Sequence, residues 1–319
     1  MTPTFKKIFI VGAGTMGHGL AQVFATGGYE VTLYSRTQDT LKRAETLTRG
    51  SLETMVEAGV LKKSDIAPIL GRIHTTTSLE EGTNEADLAI ETVVETKDAK
   101  IEIFKQLDTL CPPKTIISSN STNLNIFNFI STSRPDKIIV THFYAPPQII
   151  PLVDVLKNEQ TDMNNVNAVV EMLKKMGKKP IVFNKPVAGY VVSRVMIAYQ
   201  RELYFLLDNG YIDAKDMDDA MIWGLAMRMM VVGGLQRIDF GGLDLSAKNA
   251  MNTKDATPLE YKPKMLYDLV AQGSLGVKTG KGFYDYKGKS EAELAHARDV
   301  KLLKLLKLLQ ENDVTGPVL

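Results

Sequence analysis

A short apolar run, Ile8-Phe9-Ile10-Val11, leads directly into Gly12-Ala13-Gly14-Thr15-Met16-Gly17, and this junction restricts the fold more than any other stretch of the chain. The run reads as a strand and the residues after it as a helix start, so a G-x-G-x-x-G turn stands between strand and helix. In that setting Gly12 permits the tight turn, Gly14 lets backbone approach a pyrophosphate, and Gly17 lets the helix pack closely on the strand. Thr15 and Met16 complete the turn, so that phosphates would meet free N–H groups at the positive end of the helix dipole. The expectation is a dinucleotide site.

The same strand-and-helix unit recurs through the first half of the chain. Glu30–Tyr34, Leu88–Glu91, Thr115–Ser118 and Ile138–His142 read as further strands, and Met16–Thr26, Gln38–Glu57, Asp98–Leu110 and Asn125–Ser131 as intervening helices. That alternation predicts an α/β Rossmann-type, doubly wound domain, with a parallel sheet covered by helices. After a last strand at Ile181–Phe183 the pattern turns wholly helical: Val187–Asn209, Asp213–Met227, Leu259–Gln272 and a leucine-rich tail, Ala292–Glu311. With a polar turn and a proline at Asn184–Pro186, the division falls into a dinucleotide-binding domain, residues 1–185, and an all-α C-terminal domain, residues 186–319, for substrate and dimerisation. The tail's apolar face is too wide for a solvated helix and must pack on its own domain or on a second subunit.

The end of the second strand addresses the choice of cofactor. An acidic residue there would accept hydrogen bonds from the adenosine ribose of NAD. This chain has Ser35-Arg36-Thr37 instead. A hydroxyl followed by a guanidinium can donate to a 2′-phosphate and pair with its charge, so the expectation is NADP, with NAD possible.

Charge narrows the partners. With 38 Lys and Arg against 37 Asp and Glu the net charge is +1, which gives no global attraction to nucleic acid or to an anionic membrane. The apolar stretch Met221–Leu235 is interrupted by Arg228 and falls short of the ~20 residues a membrane helix needs. One cysteine, Cys111, cannot close an internal disulfide, so the expected setting is intracellular and cytoplasmic, with the thiol packed rather than catalytic. No metal site is expected.

Three stretches carry a family resemblance: Ser119-Asn120-Ser121-Thr122-Asn123-Leu124, His142-Phe143-Tyr144-Ala145-Pro146, and Leu152-Val153-Asp154-Val155. With the C-terminal Gly276-Val277-Lys278-Thr279-Gly280-Lys281-Gly282-Phe283-Tyr284-Asp285-Tyr286, they resemble the 3-hydroxyacyl-CoA dehydrogenase family. The resemblance implies a homodimeric oxidoreductase of fatty acid metabolism that interconverts a 3-hydroxy and a 3-oxo acyl compound. His142 would be the acid/base at the C3 oxygen and Asp154, where the family has Glu, would orient it. Thr122 and Ser193 stand for the family's substrate-contacting Ser and Asn, while Asn120, Glu95 and Lys100 would lie around the cofactor. The chemistry suits the residue types, since oxidising a carbinol requires a group that takes the hydroxyl proton, and His does so near neutral pH.

Several positions depart from the family pattern. Asp154 reaches one methylene less than Glu, Ala145 replaces an Asn, and Gly233-Gly234-Leu235-Gln236 replaces Gly-Pro-Phe-Glu. The segment Pro146-Pro147-Gln148-Ile149-Ile150-Pro151-Leu152-Val153 and the Gly224-Leu225-Ala226-Met227-Arg228 run are similar to a subgroup acting on small free hydroxy compounds, which includes L-gulonate 3-dehydrogenase, carnitine dehydrogenase and a dehydrogenase of pyridine-carboxylate breakdown. In that reading Arg228 pairs with a substrate carboxylate; in another it bridges a dimer interface. The leading expectation is an acyl-CoA substrate, the alternative a free hydroxy acid. A third reading is a catalytically impaired, NADP-binding or structural protein.

Overall fold

A computed structural model describes residues 3–241, 261–262 and 264–312. Leu259 and Glu260, expected to open a helix, lie outside them. The chain forms two compact units, Met1–Val191 and Val192–Leu319.

In the first unit the elements run β1 (Lys7–Val11), α1 (Gly17–Thr26), β2 (Glu30–Tyr34), α2 (Gln38–Glu57), α3 (Ile66–Gly71), β3 (Ile73–Thr76), α4 (Leu79–Thr83), β4 (Leu88–Glu91), α5 (Lys97–Leu110), β5 (Ile116–Ser119), β6 (Ile138–Phe143), β7 (Leu152–Leu156), α6 (Met163–Lys175) and β8 (Lys179–Val182). The strands make one eight-stranded sheet in the order β3-β2-β1-β4-β5-β6-β7-β8. Strands β3 to β6 are joined in parallel, β7 runs antiparallel to β6, and β8 is parallel to β7. The order reverses between β1 and β4, and a doubly wound sheet binds its ligand outside the carboxyl ends of the strands at that point.

Side-chain alternation explains the two covered faces. Ile8 and Ile10 of β1 point into a core shared with Leu20, Phe24, Leu41 and Val169, whereas Phe9 and Val11 point into a second core with Phe104 and Leu107. In α2 the buried residues Leu41, Ala44, Thr48, Leu52 and Met55 recur every three or four positions, which makes one helix face. Its start is set by Thr37, whose extended backbone and side-chain oxygen cap the Thr40 N–H.

Three local expectations are corrected. The helix expected over Asn125–Ser131 is only a 3-10 turn, Ile126–Asn128. Strand β3 and strand β7 were not expected, the first because it is four residues long with two exposed. The second hid behind the prolines of the preceding loop.

Helix α7 (Tyr190–Asp208) leads into the second unit, where the described elements are helical: α8 (Ala214–Asp219), a π-helical stretch Ala220–Ala226, α9 (Met227–Gly241), α10 (Lys264–Ala271) and α11 (Glu291–Asn312). Gly233 has φ 70° and breaks the helical path of α9, a conformation open to glycine at no steric cost. Asp208 organises this unit by accepting from the N–H groups of Lys264 and Met265, both at 2.6 Å, and from the Tyr261 hydroxyl. Among the described residues no helix is long and apolar enough to cross a membrane, and no group of three His, Cys, Asp or Glu side chains is placed to hold a metal ion.

Candidate active site

The glycine turn after β1 fits a dinucleotide on internal evidence. A Cβ at Gly17 would stand 1.7 Å from the carbonyl oxygen of Gly12, and one at Gly12, whose φ is 112°, would meet Thr92 at 2.9 Å. Both glycines are required by the turn itself. At Gly14 a Cβ would meet nothing within 4 Å, so that position is bare on its outer side, where a pyrophosphate would approach. No side chain caps α1 and its first turn carries no acid, which leaves N–H groups there to face an anion. Thr92 holds the turn from below, its hydroxyl donating to the carbonyl oxygens of Gly12 at 2.9 Å and Val11 at 3.2 Å. At the end of β2, Ser35 is buried with its N–H on the Thr76 carbonyl at 3.2 Å, while Arg36 and Thr37 are exposed.

A second cluster lies at the ends of β4 and β5. Lys100, on α5, is 1% exposed, and its Nζ lies 2.9 and 3.0 Å from the two carboxylate oxygens of Glu91 and 3.2 Å from Oε2 of Glu95. Glu91 also accepts from the Val93 N–H at 2.7 Å and from the Ser119 hydroxyl at 2.6 Å, so its buried charge is fully engaged. The other carboxylate shapes the loop that carries Thr122. Glu95 Oε1 accepts from the Ser121 hydroxyl at 2.6 Å and from the backbone N–H groups of Thr122, Asn123 and Leu124 at 2.9, 2.9 and 3.2 Å. Burial alone would raise the Glu95 pKa, but the Ser121 and Asn123 hydrogen bonds and Lys100 outweigh it and hold the carboxyl below its usual range. Lys100, expected beside the cofactor, has its ammonium between the Glu91 and Glu95 carboxylates. Asn120 ties β5 to β6, its amide oxygen accepting the Phe143 N–H at 2.8 Å.

His142 and Asp154 meet because β6 and β7 are antiparallel and their register sets the two residues directly opposite each other. Cross-strand partners share a face, which turns a separation along the chain into a side-chain contact. Nδ1 of His142 lies 3.3 Å from Oδ2 of Asp154, and the side chains are 5% and 1% exposed. On the opposite ring edge Nε2 lies 3.1 Å from the Thr122 hydroxyl. A carboxylate can only accept, so this contact favours the tautomer with the proton on Nδ1, leaving Nε2 with a lone pair. The pair is thus arranged as an oriented general base beside a hydroxyl.

Two tyrosines flank the imidazole, and neither stood out in the sequence. Tyr144 donates to Asp154 Oδ2 at 2.6 Å and sets its ring edge-on to His142 at 4.6 Å. Tyr190, buried and at φ 49°, holds its ring 4.8 Å from His142 and donates to the Ser121 carbonyl. Burial, then the charges of Glu95, Asp154 and Glu91, push the Tyr190 phenol up, so it stays a donor. Glu91 had a signal in hindsight, since a carboxylate closing the apolar run Leu88-Ala89-Ile90 requires a buried partner.

Ser193 and Arg228 belong to the second unit. Ser193 stands in the first turn of α7, and Arg228 opens α9 with its Nε donating to the Gly224 carbonyl at 2.7 Å.

The sequence matches the model of the 3-hydroxyacyl-CoA dehydrogenase NAD-binding domain over residues 7–186 and that of the 3-hydroxyacyl-CoA dehydrogenase C-terminal domain over residues 189–286. The chain belongs to the 3-hydroxyacyl-CoA dehydrogenase family. It is 35% identical over 284 residues to a 3-hydroxybutyryl-CoA dehydrogenase of Clostridioides difficile, covering 88% of this chain and 99% of that one. It is 29% identical over 309 residues to the 5-formyl-3-hydroxy-2-methylpyridine 4-carboxylate 5-dehydrogenase of Mesorhizobium japonicum, covering 96% and 98%. A crystal structure of a dehydrogenase with that substrate name superposes with a TM-score of 0.85 at 27% identity over 96% of this chain and 99% of the other. The (S)-3-hydroxybutyryl-CoA dehydrogenase of Ralstonia eutropha superposes with a TM-score of 0.70 at 32% identity, covering 89% and 100%. This family member is accordingly a nicotinamide-dependent oxidoreductase of the 3-hydroxyacyl-CoA dehydrogenase type, acting on a CH–OH group.

Proposed function

We propose that the protein interconverts a 3-hydroxyacyl-CoA and the corresponding 3-oxoacyl-CoA, with His142 as the acid/base. The observation that carries this reading is the disposition of the imidazole, with Nδ1 against the Asp154 carboxylate and Nε2 beside the Thr122 hydroxyl. In oxidation His142 Nε2 takes the proton of the C3 hydroxyl, and Asp154 steadies the imidazolium that forms. Thr122 positions the C3 oxygen, while Glu95 holds the loop that carries Thr122. A bound nicotinamide would supply the hydride acceptor for C3 in this direction and the donor in the other. Gly12, Gly14, Thr15, Met16 and Gly17 would cradle its pyrophosphate.

Ser35, Arg36 and Thr37 directly follow β2, and their donors support a preference for NADP over NAD. Arg36→Ala is expected to lower kcat/KM for NADPH about tenfold, the loss of one exposed charge-assisted contact, and to leave NADH unchanged. A wild-type preference for NADH would refute the assignment.

The thioester is tested by steady-state rates with acetoacetyl-CoA against free acetoacetate. Turnover of the thioester supports the proposal; turnover of free acids alone would transfer the reading to a small hydroxy acid, with Arg228 on its carboxylate. Exposed apolar side chains of the second unit, among them Val195, Ile197, Trp223 and Leu235, support a homodimer formed through its helices. Sedimentation velocity would check this, a monomer at micromolar concentration being the contrary result.

A further inference from the structure

Asp154 is the point at which the catalytic pair of this chain is weakest by geometry, because its contact with His142 is long. Oδ2 lies 3.3 Å from Nδ1 of His142, beyond the usual N–H···O mode of about 2.9–3.0 Å. The same oxygen accepts the Tyr144 hydroxyl at 2.6 Å, the short distance expected of a donor to a charged carboxylate. The register explains how Tyr144 arrives there. His142 is opposite Asp154 and Phe143 opposite Val153, so Tyr144, just beyond the strand, is a diagonal neighbour of Asp154. Such neighbours lie about 7–8 Å apart, within reach of a phenol and beyond a short side chain.

We propose that Tyr144 is a positioning residue for the His142–Asp154 pair: its hydroxyl and ring clamp a carboxylate one methylene short of Glu in the orientation that meets Nδ1 of His142. The ring is placed for this, standing edge-on to the imidazole at 71° while its hydroxyl closes on the carboxylate. Without the clamp Asp154 would lose the shorter of these two contacts, and the imidazole tautomer would be less firmly fixed. The inference rests on His142 being the acid/base, so its test includes a readout that does not depend on turnover.

The test compares wild type, Tyr144→Phe, and Tyr144→Phe with Asp154→Glu, each with ¹⁵N-labelled histidine. His142→Gln assigns the His142 resonances among the four histidines. In wild type, neutral His142 is expected almost wholly as the Nδ1–H tautomer. In Tyr144→Phe, Nε2–H is expected to rise to at least a fifth of the neutral population, and the longer Glu is expected to restore the Nδ1–H form.

Kinetics with acetoacetyl-CoA give the parallel readout: kcat lowered about tenfold in Tyr144→Phe with KM within twofold, and recovery to within about threefold in the double variant. An unchanged tautomer in Tyr144→Phe, or failure of Glu to restore it, overturns the proposal. So does a change in KM with kcat retained, which would make Tyr144 a substrate contact. Full activity in His142→Gln would instead defeat the acid/base assignment beneath it.

Discussion

Lys100→Met removes the cation that two carboxylates share, and its cost can be worked from the geometry. Lys100 and Glu91 are 1% and 0% exposed and bonded through both carboxylate oxygens, so solvent cannot replace the lost ammonium. Glu91 would keep the Ser119 hydroxyl and the Val93 N–H as donors, a partial compensation for a buried charge. Removing one partner of such a pair costs about 3–5 kcal/mol, against at most ~1 kcal/mol for an exposed pair such as Lys174–Glu171. A domain of this size loses about 2–4 °C per kcal/mol, so the expected fall in Tm is roughly 6–20 °C. Circular dichroism melts of Lys100→Met and Lys174→Met make the comparison, with the chain's single Trp, Trp223, as a separate fluorescence probe in the second unit. A neutral amide needs no cation, so adding Glu91→Gln to Lys100→Met should recover at least half of the loss. A fall no larger than that of Lys174→Met, or a double variant as unstable as the single, would refute the claim that this buried pair anchors the loop of Glu95.

Three other buried groups give outcomes that can be measured directly. Cys111 is buried, and burial together with Asp108 outweighs Arg134 to push its thiol up to about 12, so a disulfide reagent at pH 8 should modify it only on unfolding. Lys178 donates to the carbonyls of Pro147 at 2.5 Å and Ile150 at 3.0 Å, fixing the loop between His142 and Asp154, and burial pushes its ammonium down to about 8. Between that value and its ordinary 10.5 the unfolded chain binds more protons than the folded one, so Lys178 favours folding increasingly as pH rises. The Tm of wild type minus that of Lys178→Met should therefore grow between pH 8 and 10. Gly17→Ala sets a methyl against the Gly12 carbonyl and should abolish cofactor binding in fluorescence titration, whereas Gly14→Ala should fold normally and weaken binding alone.

The sheet was legible where strands are buried, throughout at Leu88–Glu91 and at alternate residues in Glu30–Tyr34. Leu88–Glu91 and Glu30–Tyr34 are recovered as read, because a buried parallel strand has to be an uninterrupted apolar or alternating run. Strand β7 was concealed, although Asp154 on it was singled out, since its pairing with β6 depends on a loop whose course local sequence does not encode. The same reason hid Tyr144 and Tyr190: a tyrosine's partner across a sheet or at a helix start is a tertiary fact. The 3-10 turn at Ile126–Asn128 shows the converse, an apolar segment with helical spacing whose ordering comes instead from the Glu95 carboxylate holding the residues just before it.

Turnover by His142→Gln tests the central claim most directly. An oriented general acid/base contributes about 10²- to 10⁴-fold, so the variant should reduce acetoacetyl-CoA at least a hundredfold more slowly than wild type, with cofactor Kd within twofold. A rate within tenfold of wild type would mean that the proton at C3 passes through some other group.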